Sequence, residues 1–218
     1  MEQNSKDFCY RITHIQNLEC ILKNGIVCKN HARACGNYIN IGHQEIIDVR
    51  STTAVKINTI DNISYGMIGD YIPCYFTPKS TMLYNILTGY YHPKVQKRKC
   101  EEILVMRFKI STLANLPNLF FFTDGQANDY ATKHYNSLAD IQYIDWESIH
   151  KNNFSKKDDE DRARRYQAEF LVKDEIPISC IEGFYVYNQN AKEAVQNILA
   201  QNEVNIKVEI NRNYYFSV

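Results

Sequence analysis

No two of the seven cysteines follow a C-x-x-C spacing, and their number is odd. Zinc modules and disulfide scaffolds show regular, even cysteine patterns, so the thiols read as those of a reduced cytosolic chain. His31 and Cys35 are four apart and His14 is near, but no second pair completes a ligand set. No metal is therefore expected. Net charge is also missing, since 25 Lys and Arg balance 25 Asp and Glu. That excludes a global basic field, and any nucleic-acid contact has to come from local clusters. No apolar run is long enough to cross a bilayer, and "MEQNSKDFCYRI" has no apolar signal core. The expectation is a soluble cytoplasmic protein with no membrane partner. G-x-G-x-x-G, G-x-x-x-x-G-K-[ST] and a nucleophile elbow are all lacking, which argues against Rossmann, P-loop and hydrolase sites. Without repeats or a low-complexity linker, residues 1–218 read as one domain.

What is abundant is tyrosine, with 16 copies beside 10 Phe and one Trp. Each offers a ring for stacking and a hydroxyl for hydrogen bonding, although AT-rich coding explains the excess equally well. "FCYRIT" reads as a first strand, and "NLECILKNGIV" as a helix with Leu18, Ile21 and Leu22 in phase and Gly25 as its cap. A loop with a short helix at Glu45–Arg50 follows. "DYIPCYFTPKSTMLYNILTG" gives a strand, a Pro-containing turn and a helix opened by Ser80. In "EEILVMRFKIS", Leu104, Met106, Phe108 and Ile110 share one face of a strand. "NLFFFTDGQA" is a buried strand ending in an Asp-Gly turn. The stretch from Asn128 to Asn153 reads as helical or irregular. "QAEFLV" and "IEGFYVYN" are strands, and "AKEAVQNILAQN" is an amphipathic helix. Val204, Ile206, Val208 and Ile210 alternate as in a half-buried final strand. Helices do not alternate with strands in a βαβ rhythm, so the fold class is α+β with a mainly antiparallel sheet.

Two basic–aromatic clusters, "YYHPKVQKRK" and "KKDDEDRARRY", suit phosphate contact and base stacking, though "DDED" makes the second equally readable as a solvated helix face. Directly after it, "AEFLV" places Ala168, Phe170 and Val172 on one side and Glu169 and Leu171 on the other. Glu169 at the mouth of an apolar strand can be a plain edge charge. Facing a cleft, it can also hydrogen-bond a sugar hydroxyl or take a proton.

Several segments in order narrow these alternatives: "YRITHIQNLECILKNGI", "IGHQEIIDVRST", "GDYIPCYFTPKSTMLYNI", "FFFTDGQAN", "LADIQYIDWESI" and "RRYQAEFLV". Together, from about Tyr10 to Val186, they resemble the DarT family of ADP-ribosyltransferase toxins, which attach ADP-ribose from NAD+ to bases of single-stranded DNA. The resemblance implies an ADP-ribosyltransferase fold whose split, mostly antiparallel sheet forms an NAD+ cleft. It implies that Arg11, Ile12 and Thr13 contact NAD+, that Arg50 is the active-site arginine and that Glu169 is the catalytic glutamate. It carries DNA contact onto Pro78, Lys79, Ser80 and Met82, and onto Arg162, Arg164, Arg165, Tyr166 and Gln167. Residues 126–169 correspond to the substrate-recognising loop region. It also implies a macrodomain antitoxin as partner, a toxin–antitoxin setting connected with phage defence. The family pattern departs at two positions. Gln126 stands in "TDGQA" where thymidine-modifying members carry His, and Arg11 stands where a His is common. Glutamine hydrogen-bonds but has no acid–base function near neutral pH, so either the histidine's job is positional or this chain modifies a different base. The resemblance implies thymine or guanine, since relatives divide between the two, and the alternative is a related transferase acting on RNA or protein.

Overall fold

The structure is a computed structural model that describes residues 6–57 and 63–217. Ten strands are present among them: β1 (Phe8–His14), β2 (Ile26–Val27), β3 (Tyr71–Tyr75), β4 (Ile103–Lys109), β5 (Phe120–Thr123), β6 (His134–Tyr135), β7 (Glu169–Lys173), β8 (Glu175–Ile176), β9 (Ile181–Val186) and β10 (Val208–Ile210). The α-helices are α1 (Leu18–Asn24), α2 (Gln44–Thr52), α3 (Thr81–Thr88), α4 (Ile110–Ala114), α5 (Trp146–His150), α6 (Arg162–Arg165) and α7 (Gln189–Gln201).

Eight strands form one sheet in the order β10-β9-β4-β1-β3-β7-β5-β6, and β2 pairs with β8 apart from it. β4 is central. Its alternation puts Leu104, Met106 and Phe108 into one core cluster with α1 and α7, and Ile103 and Val105 into another with α3. Both faces are buried, as expected for an interior strand. β1 runs beside β4 along its whole length, from Phe8 opposite Lys109 to His14 opposite Ile103. On its other side β1 meets β3 only where Tyr10 faces Tyr75. The sheet therefore splits between β1 and β3, and the split opens the cleft described below.

Helix starts follow the residues that cap them. Ser80 Oγ accepts from the Leu83 N–H at 3.2 Å and opens α3. Gly25 and Gly89 close α1 and α3 at φ 76° and 74°, a region that favours glycine. Ala191, Val195 and Leu199 of α7 are buried, as their spacing predicts.

Five expectations need correction. The strand through Leu104, Met106 and Phe108 ends at Lys109, and Ile110, expected on its face, opens α4 instead. The C-terminal alternation yields a strand only at Val208–Ile210. Val204 and Ile206 pack on the core without pairing. That strand runs parallel to β9, so β9, α7 and β10 make one βαβ crossover in an otherwise antiparallel sheet. His134–Tyr135, expected helical or irregular, is a short strand on β5. Finally, Cys20 and Cys35 are joined as a disulfide, with Cα atoms 6.4 Å apart. Their pairing depends on residues 28–43 folding back over α1, which no local cysteine pattern records. No helix among the described residues is long and apolar enough to cross a membrane.

Candidate active site

Glu169 is the first residue of β7 and is 1% exposed. The alternation of the strand sends Phe170 and Val172 into the main core and leaves Glu169 and Leu171 on the opposite face. The backbone around Glu169 is fixed through Thr123 at the end of β5. Its hydroxyl accepts from the Glu169 N–H at 3.1 Å and donates to the Gly125 carbonyl at 2.6 Å.

The carboxylate is held from two sides. Arg50 of α2 donates from Nη2 to Oε2 at 2.7 Å and, more loosely, from Nη1 to Oε1 at 3.5 Å. The Ala127 N–H donates to Oε1 at 3.2 Å. Burial works against the Arg50 charge, but the Glu169 carboxylate overrides it and raises the arginine pKa. α2 has no fully buried residue, with Ile46 and Ile47 only half-buried, so apolar packing alone does not position it. A close backbone approach does. A Cβ built on Gly69 would lie 2.8 Å from Ser51 Cα and 3.2 Å from the Arg50 carbonyl oxygen, so only glycine lets the segment before β3 support α2 there.

The pair lies in the wall of a cavity of about 450 Å³, a size usual for small-ligand sites. Arg11 and Ile12 line it, whereas Thr13 is buried behind it. Thr13 Oγ1 accepts from Asn17 at 3.0 Å and meets the hydroxyl of Tyr38, a lining residue, at 2.9 Å. Two buried lining atoms, Arg11 Nε and His43 Nδ1, have no hydrogen-bond partner. Polar orphans in a partly apolar cleft fit a ligand that has both hydrogen-bonding and apolar parts. Among the described residues no group of three or more His, Cys, Asp and Glu is placed to hold a metal.

Met82, Gln126 and Gln167 also line the cavity. Pro78 and Ser80 are buried, the latter as a helix cap. Tyr166 is 1% exposed and donates to the Lys79 carbonyl at 2.7 Å, so it ties two segments together from inside. The Lys79 ammonium lies over Phe216. The three arginines of α6 are engaged with aspartates. Arg162 makes a bidentate pair with Asp158, Arg164 reaches Asp161 and Asp124, and Arg165 reaches Asp145, Asp159 and Asp161. The Arg162 and Arg164 hydrogen bonds hold Asp158 and Asp161 down to about 2.

Sequence reasoning missed several contributors. Tyr75 lies opposite Glu169 in the β3–β7 register and lines the cavity. Burial, then the Glu169 charge, raises its phenol pKa. Thr123, Gly69 and Ala127 were also missed. Thr123 and Ala127 flank the Asp-Gly turn, but the Thr123 hydroxyl and the Ala127 N–H act on a strand more than 40 positions away, which no local pattern records.

The split sheet with an arginine–glutamate pair beside the cavity is the frame of an ADP-ribosyltransferase, as the likeness to known proteins shows. A family model described as "ssDNA thymidine ADP-ribosyltransferase, DarT" matches residues 10–216. Over 213 residues the chain is 34% identical to a DNA ADP-ribosyl transferase of Escherichia coli O127:H6, covering 97% of this chain and 94% of that protein. It superposes on Thermus sp. 2.9 DarT in complex with ADP-ribosylated ssDNA with a TM-score of 0.83, at 28% identity over 97% of both chains. Against the same protein in complex with NAD+ the TM-score is 0.78, at 27% identity over 97% of this chain and 98% of that one. The chain belongs to the DarT family of DNA ADP-ribosyltransferases.

Proposed function

We propose that this chain transfers ADP-ribose from NAD+ to a thymine or guanine of single-stranded DNA, with Glu169 as the catalytic carboxylate. The observation that carries the reading is the Arg50–Glu169 pair, buried at the wall of the cavity. NAD+ supplies an N-glycosidic bond whose nicotinamide leaves as a neutral ring. Glu169 orients a ribose hydroxyl and stabilises positive charge at the sugar carbon. As a new bond forms between that carbon and a base nitrogen, Glu169 accepts the proton that the nitrogen gives up. Arg50 and the Ala127 N–H hold the carboxylate in place for both tasks. Arg11, Ile12 and, through Tyr38, Thr13 shape the NAD+ side. Met82, Gln126 and Gln167 face the DNA, with the arginines of α6 framing that side. Residues 1–218 act as one domain in the cytoplasm, as a toxin opposed by a macrodomain antitoxin in a system suited to phage defence. The support for this last part is the family membership.

The test is labelled NAD+ with single-stranded DNA, RNA and protein acceptors in parallel, followed by mass spectrometry of the released nucleosides. The expected product is an ADP-ribosylated thymine or guanine nucleoside, lost in Glu169→Gln. Label on RNA or protein with none on DNA would sink the reading. The same assay on Gln126→His reads the base choice. A changed ratio of modified bases is expected, because His offers an acid–base group where Gln offers only hydrogen bonds.

A further inference from the structure

Ala127 is held at both ends of its peptide unit. Its N–H faces Glu169 at 3.2 Å, and its carbonyl faces His134 Nε2 at 3.0 Å. The other ring nitrogen of His134, Nδ1, accepts the backbone N–H of Lys56 at 3.0 Å. A backbone N–H can only donate, so Nδ1 carries no proton, and Nε2–H donates to Ala127. The ring is stacked on Phe121 with centroids 5.0 Å apart. Lys56 lies four residues beyond the end of α2, the helix that carries Arg50. Its ammonium also reaches the carbonyls of Asp129 and Tyr130. One neutral imidazole thus joins the segment following Arg50 to the turn that bears Gln126 and caps Glu169.

We infer that His134 is a positioning residue for transfer: in its neutral Nε2–H form it holds the Ala127 peptide against Glu169 and locks the Gln126 turn to the segment leaving α2. The inference rests on the reading of Glu169 as the catalytic carboxylate. Protonation would place a hydrogen on Nδ1 against the Lys56 N–H and release that link. Burial disfavours the imidazolium most, the Ala127 carbonyl and the Glu169 and Asp124 carboxylates favour it, and Lys56 disfavours it, with a net lowering. The link therefore persists at neutral pH and fails only on the acid side of the ordinary imidazole range.

The test compares wild type, His134→Phe and His134→Gln in DNA ADP-ribosylation, with Glu169→Gln as control. Phe keeps the stack and loses both hydrogen bonds, while Gln keeps a donor and an acceptor. Expected for Phe is a kcat lower by about 10- to 100-fold, as for a small misplacement of reacting groups, with KM for NAD+ little changed. Gln should recover part of that loss. The wild-type kcat should fall on the acid side of the ordinary imidazole range along a limb that the Phe variant lacks. A Phe variant with wild-type kcat, a loss confined to KM, or an unchanged acid limb would overturn the inference. If Phe does not fold, a Gln variant without recovery, or a wild-type profile flat to acid, does the same. Activity retained in Glu169→Gln would instead overturn the catalytic reading and leave the His134 hydrogen bonds as they are.

Discussion

Arg50 and Arg162 are almost equally buried, with side chains 12% and 13% exposed, yet their partners differ. Glu169, opposite Arg50, is 1% exposed, whereas Asp158, opposite Arg162, is 70% exposed. Desolvating a carboxylate costs several kcal/mol, so the buried pair has little claim as a device for stability. It makes sense as charge kept ready beside a cavity. In the α6 network Asp158 and Asp161 stand largely in water, whereas Asp159 is half-buried and Asp124 and Asp145 are mostly covered, and the exposed pairs contribute little to stability. What it does is local. Arg164 crosses to Asp124 and Thr132 and presses on the turn before Gln126. A Cβ on Gly125 would collide with its guanidinium. Similar arginines thus flank the cavity in one place and shape a loop in the other, and only the cavity pair has an anion sealed fully from water.

The largest way to break this contrast is Glu169→Ala. It strands the Arg50 charge in the interior, and chemical denaturation should show a loss of about 3–5 kcal/mol. The double variant Arg50→Met with Glu169→Leu should recover most of it. If it does not, the pair contributes to stability in its own right. Gly69→Ala comes next, because the added methyl meets backbone of α2 that cannot swing aside. A loss of about 1–3 kcal/mol is expected from overpacking, together with a drop in activity as Arg50 shifts. Wild-type stability in that variant would mean that α2 moves freely. Asp158→Asn should give the smallest effect, with an unfolding midpoint equal to wild type. Salt sharpens the comparison: raising it should weaken the α6 contacts and leave the Glu169→Ala penalty unchanged. A salt-sensitive penalty would show that solvent reaches the buried pair.

The longer helices and strands were legible because their signals are local, whereas α4 and the two-residue strands β2, β6 and β8 were not. Ser80 caps α3, Gly25 ends α1, and the alternation through β4 marks a strand. At the C-terminus the same alternation misled. Val204 and Ile206 have strand periodicity, but β9 offers pairing only from Val208 to Ile210. Glu169 and Arg50 were recognised through segments resembling a family, since 119 positions separate them and no spacing rule joins them. Tyr75, Ala127 and His134 were missed because they act through register and peptide groups.

By itself the sequence determined the α+β class, the helix ends, the apolar faces that must be buried and the family. Propensity, periodicity and ordered motifs are properties of neighbouring residues. Only the tertiary structure decided that the sheet splits between β1 and β3, that Cys20 meets Cys35, and that the α6 arginines are spent on aspartates. It alone sealed Glu169 from water beside Arg50. Burial, register and charge pairing depend on which distant segments come together, and folding settles that for the chain as a whole.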